Sequence, residues 1–137
     1  MKKTKKLFIG MILAIIFCSC SSAVIKENRK NALELQASIE KVIKIDKTTE
    51  FEVFDLLGNP TTKVLQGDKM LRMAYYHGDF YHKNSESNKR ILEKYIPVEL
   101  LKNQETLEKV VLGIHLRKNN DSNERVVFKI TGEVLRN

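Results

Sequence analysis

Sixteen residues in the middle of the chain, DKTTEFEVFDLLGNPT (46–61), restrict its fold more than any other stretch. Thr49 followed three residues later by Glu52 has the form of a capping box. The hydroxyl meets the Glu52 amide, and the Glu52 carboxylate returns to the Thr49 amide. Val53, Leu56 and Leu57 then fall at i, i+3 and i+4, one face of a helix. Gly58 stands where a terminating residue needs positive φ, and Pro60 blocks continuation. A short helix over Glu50–Leu57 is therefore expected, with both ends written into the local chemistry.

The apolar period changes on either side of it. Upstream, Leu35, Ile39, Val42 and Ile43 share a helical face, so a longer helix is expected from about Asn31 to Lys44. Downstream the period drops to two. Residues 62–66 read as a strand and Gln66-Gly67-Asp68-Lys69 as a turn. Leu71, Met73 and Tyr75 form one face of a second strand. Residues 107–117 place Val110, Leu112, Ile114 and Leu116 on one face, KNNDSN (118–123) is a turn cluster, and Val126, Phe128 and Ile130 define a last strand. The connection from 77 to 106 is too long for a hairpin, and Pro97 ahead of VELLKN gives it a short helix. The expected class is α+β: two N-terminal helices followed by a three- to four-stranded antiparallel sheet, with a partly helical insertion at 77–106.

The N-terminus has a different character. Lys2, Lys3, Lys5 and Lys6 precede the uncharged run LFIGMILAIIF (7–17), and small residues follow through Ala23. A basic start, an apolar stretch too short to span a bilayer and a small-residue exit are the parts of an export signal. Both cysteines, Cys18 and Cys20, lie at its end. A disulfide two residues apart is geometrically strained. A zinc site lacks further ligands. An uncleaved anchor is the plain alternative to lipidation, which is expected because FCSC resembles the lipobox of bacterial lipoproteins, with Ser19 before an acylated Cys20. The resemblance implies a signal peptide over 1–19 and a mature chain starting at Cys20, held in the membrane by its N-terminal lipid, palmitate included. A tether over 20–30 and a domain over 31–137 follow. Ser21 at the second mature position points, by the same resemblance, to the bacterial outer membrane with the domain facing the periplasm.

The formal charge of +7 overstates the basicity of that mature chain. Four of the 24 Lys and Arg precede Cys20 and none of the 17 acids does, which leaves 20 against 17. The remaining bases are interleaved with acids, so a nucleic-acid partner is not expected.

Chemistry is sparse. YYHGDFYH (75–82) gathers four aromatics, His77, Asp79 and His82, at a spacing that matches no common metal site. No nucleophile elbow, zinc-protease helix, phosphate loop or dinucleotide fingerprint occurs. No cofactor, metal or enzymatic activity is expected. The plain reading is local packing, with Tyr75 in the sheet and the others flanking the loop; Tyr76, Phe80 and Tyr81 are also candidate partner-binding residues, since exposed aromatics are enriched at interface hot spots. His115 is expected on the solvated face of its strand.

Thr48-Thr49-Glu50-Phe51-Glu52-Val53-Phe54-Asp55-Leu56-Leu57-Gly58-Asn59-Pro60, inside two helices followed by a meander, resembles the SmpA/OmlA domain, the family of BamE-like lipoproteins. The likeness covers roughly 38–76 and 107–131, and 77–106 is an insertion relative to it. It implies an ααβββ fold and a non-enzymatic accessory or scaffold subunit of an envelope assembly, the machinery that inserts β-barrel proteins. Its implied partners are envelope or outer-membrane proteins. A periplasmic binding or inhibitor module, or a secretion-system lipoprotein on the same domain, is the alternative.

Overall fold

The computed structural model describes residues 23–76, 93–102 and 109–135, with the side chains of Leu100 and Leu101 excepted. Cys20 and the segment containing Phe80 and Tyr81 lie outside them. The architecture is α+β, with helices ahead of a four-stranded antiparallel sheet in the order β1-β2-β3-β4.

Helix α1 covers 23–40. It begins about eight residues before the expected start, so 23–30 is helix rather than tether. The inward stripe explains the difference. Asn28, Asn31, Ala32, Leu35 and Ile39 are the buried positions, and the first three escape a search for large apolar residues. The helix also ends earlier than expected. Ile43 still reaches the core through one further turn, its amide donating to the Ile39 carbonyl at 2.9 Å, while Val42 remains 38% exposed.

Helix α2 is Glu50–Leu57, as the capping chemistry requires. The Thr49 amide donates to Glu52 Oε2 at 2.7 Å, and the Glu52 amide donates to Thr49 Oγ1 at 3.3 Å. Gly58 stops the helix at φ 69°, and its amide bonds the Phe54 carbonyl. Val53 and Leu57 are fully buried, and Leu56 and Phe54 pack at the margin of the core.

Strands β1 (Thr62–Gln66), β2 (Met70–Tyr76), β3 (Val110–Lys118) and β4 (Arg125–Val134) form the meander. A short helix, α3 (Val98–Leu101), follows Pro97. The core lies on one face of the sheet, between it and the two N-terminal helices. Leu71, Met73 and Tyr75 of β2 and Val110, Leu112, Ile114 and Leu116 of β3 supply it, together with Leu35, Ile39, Ile43, Val53 and Leu57. Tyr75 keeps its hydroxyl satisfied by donating to the Gly58 carbonyl at 3.0 Å, which ties β2 to the end of α2. Burial pushes that phenol above the ordinary tyrosine range. Ile96 enters the same core, and Tyr95 donates to the Leu56 carbonyl at 3.3 Å.

The last strand differs from its expected phase. Val127 and Ile130 point inward, while Val126 and Phe128 are half-buried on the outer side. The cause is a bulge. Leu116 pairs with Val127 and His115 with Lys129, so Phe128 is the extra residue and alternation restarts beyond it. Near the other end of β4, the Gly132 amide donates to Gln36 Oε1 at 2.9 Å. A Cβ at Gly132 would lie 2.6 Å from the carbonyl carbon of Ala32, so α1 rests directly on the strand there.

Candidate protein-binding surface

Tyr76 does not serve as an exposed anchor. It is 9% exposed and belongs to a small second cluster with Ala74 and Val111, on the sheet face away from the helices. Its reading as a hot spot assumed that only one face of β2 buries side chains. Phe80, Tyr81, His77, Asp79 and His82 fall outside the described residues. Among those that are described, no group of three or more metal-capable side chains comes together. Thr49, Glu52, Gly58 and Pro60 are where the sequence places them, and their work is to shape α2 and its exit.

The outer face of the sheet carries one polar network. It is arranged around Gly113, whose missing side chain leaves room for its neighbours. Arg72 on β2 reaches Glu133 on β4 at 2.9 Å, Thr131 donates to Glu133 at 2.7 Å, and His115 Nε2 lies 3.3 Å from Thr131 Oγ1. His115 is half-buried, not solvated, with its ring edge-on to Phe128 at 6.2 Å. Burial lowers its pKa, and the positive charges of Arg72 and Lys129 add to the effect against Glu133. For Glu133, burial acts upward but is outweighed by the bonds from Thr131 and Arg72 and by the Arg72 charge, so it sits below its ordinary value. These groups satisfy one another: the Thr131 hydroxyl beside His115 already donates its proton to Glu133. The network links β2, β3 and β4 through their side chains across the outer face of the sheet.

A different surface stands out at α2. Phe51 is 79% exposed, the most exposed large apolar side chain among the described residues. Its neighbour Phe54 is half-buried and lies under Lys63 of β1, with the ammonium 5.1 Å from the ring centre. Glu50 anchors this corner by pairing with Lys63 at 2.8 Å and with Arg125 of β4 at 3.1 Å. Burial acts to raise the Glu50 pKa, but the bonds and charges of those two cations prevail and hold it below the ordinary value. A shallow, mainly apolar depression lies among the N-cap Thr49, Phe51 and Phe54 of α2, Asn123 and Glu124 ahead of β4, and Arg125 at its start.

Among the described residues, no packing contact calls for an aromatic at position 51. The signal was present in EFEVFDLL, where Phe51 lies off the Val53/Leu56/Leu57 stripe. The Glu50 pairs carried no local signal, because their partners lie 13 and 75 residues away. The result is an exposed ring on a helix capped at both ends, beside the Glu50 ion pairs. Comparison of the chain with protein families, curated proteins and solved structures found no match.

Proposed function

We propose that this chain is a non-enzymatic, lipid-anchored accessory or scaffold subunit of a bacterial envelope assembly. Acylated Cys20 holds it at the outer membrane, the domain faces the periplasm, and a protein partner docks on the Phe51 side of α2. The observation that carries the docking surface is the 79% exposure of Phe51 on a helix whose ends are fixed by its own caps. Two helices ahead of an antiparallel meander agree with the order that the SmpA/OmlA likeness implies, which makes the barrel-insertion machinery the assembly to examine first.

The test is photocrosslinking in cells from a reactive residue at position 51, with exposed Lys41 on the turn after α1 as the control site. One envelope protein captured from 51 and not from 41 is the expected result. Phe51→Ala should then weaken that complex at least tenfold, since a hot-spot ring contributes about 2 kcal/mol and 1.4 kcal/mol is a decade. Equal capture from both positions contradicts the docking surface.

A further inference from the structure

The two edges of the sheet are treated differently. On β4 three outward groups have partners. The Asp46 amide donates to the Val127 carbonyl at 2.7 Å, the Val127 amide donates to the Thr48 carbonyl at 2.9 Å, and Gln36 accepts from Gly132. On β1 no such cover exists among the described residues, and β2 is the strand's one neighbour. Residues 63–66 are exposed, Val64 by 48% and Leu65 by 62%.

The direction of the free groups follows from β2. The Tyr76 amide donates to Thr61 Oγ1 at 3.2 Å, so the even-numbered residues of β2 turn their backbone groups toward β1. The Lys118 amide donates to the Lys69 carbonyl at 2.8 Å, which sets the odd-numbered ones toward β3. Thr62, Val64 and Gln66 stand opposite Ala74, Arg72 and Met70 and bond inward. Lys63 and Leu65 therefore point N–H and C=O away from the sheet. Two devices that blunt an edge are missing from this five-residue strand: TKVLQ has no proline, and its pairing with β2 has no bulge. Its single charge, Lys63, is drawn to Glu50 and Phe54.

We propose that β1 is a self-association edge: two copies join Thr62–Gln66 antiparallel about a two-fold axis at Val64. The occupant is a second copy because the free groups are self-complementary. Lys63 of each copy faces Leu65 of the other, and both hydrogen-bonded pairs close with four N–H···O=C bonds and no free group left over. Val64 meets Val64 of the second copy as the close, non-bonded pair. No like charges oppose each other, because Lys63 lies across from Leu65 rather than from itself. Two four-stranded sheets become one of eight. The edge adjoins the Phe51 surface at Lys63, whose main chain serves the dimer and whose side chain pairs with Glu50; position 64 reads the dimer and position 51 the docked partner.

Cysteine crosslinking of the full chain in its own membrane tests this. In the non-bonded pair the Val64 Cα atoms are about 4.5 Å apart, within disulfide reach. Val64→Cys treated with a copper oxidant should give a covalent homodimer. Thr62→Cys, which lies opposite Gln66 of the second copy, should give at least tenfold less, and the unsubstituted chain none. Adding Leu65→Pro removes an outward amide and should cut the Val64→Cys product at least tenfold while leaving the unfolding midpoint of the chain in place. If that double variant fails to fold, the Val64 against Thr62 comparison still decides. Equal yields from 62 and 64, no dimer from 64, or an adduct of 64 with another protein alone overturns the proposal.

Discussion

Gly132→Ala is the perturbation whose cost the structure defines best. The new Cβ would lie 2.6 Å from the Ala32 carbonyl carbon, 3.3 Å from its Cα and closer still to its oxygen. Those are main-chain atoms in the middle of α1, and no rotamer change clears them. Ordinary contact begins near 3.4 Å, so the helix has to back away from β4 by roughly an ångström in a close-packed interior. Leu35 and Ile39, both buried to within 1%, would withdraw with it, and the bond from the Gly132 amide to Gln36 would stretch. Overpacking against movable side chains costs about 1–3 kcal/mol. With backbone on both sides and two core residues displaced, about 3 kcal/mol or more is expected, a large part of the 5–15 kcal/mol typical of a domain. Urea unfolding followed by circular dichroism reads this directly. Gly67→Ala is the control: its φ is +70° with no atom within 4 Å of the new methyl, so only backbone strain of about 1 kcal/mol applies. A loss at Gly132 below about 0.5 kcal/mol, or smaller than at Gly67, refutes the claim that α1 rests on the strand at that point.

The ends of α2 give two further outcomes. Thr49→Ala should cost about 0.5–2 kcal/mol and Gly58→Val more, because a β-branched residue resists positive φ; equal, negligible shifts in the unfolding midpoint would contradict the caps. Glu50 should make stability depend on pH. Its folded pKa is lowered, so its contribution is present above the unfolded value near 4.5 and is lost as pH falls through the folded one. Glu50→Gln should therefore lower stability by about 1 kcal/mol at pH 7, with the gap to the parent closing in acid. A gap of the same size at pH 7 and pH 3 would remove the two cations as its cause.

How far the sequence could be read depended on whether the deciding contacts were local. Helix α2 and the β1–β2 turn were legible because hydroxyl, carboxylate, glycine and proline within a few residues specify them. The start of α1 was not, because Asn28, Asn31 and Ala32 occupy its buried stripe and none is a large apolar residue. The phase of β4 depends on a bulge opposite His115, a property of the paired strands rather than of either one. Tyr76 was misread for a related reason: Ala74 and Val111 give the outer face a buried cluster of its own. Of the candidate surface, Phe51 was readable as an aromatic off its helix's apolar stripe. The Glu50–Lys63 and Glu50–Arg125 pairs exist only once the chain has folded.

The most direct measurement is the mass of the N-terminal peptide of the chain recovered from cell envelopes after feeding labelled palmitate. A mature chain beginning at Cys20 and carrying labelled acyl groups is predicted. Cys20→Ala should persist as an unlabelled full-length precursor, while Cys18→Ala matures normally. Retention of residues 1–19 in the native chain, or labelling of the Cys20→Ala variant, would contradict a lipid-anchored subunit.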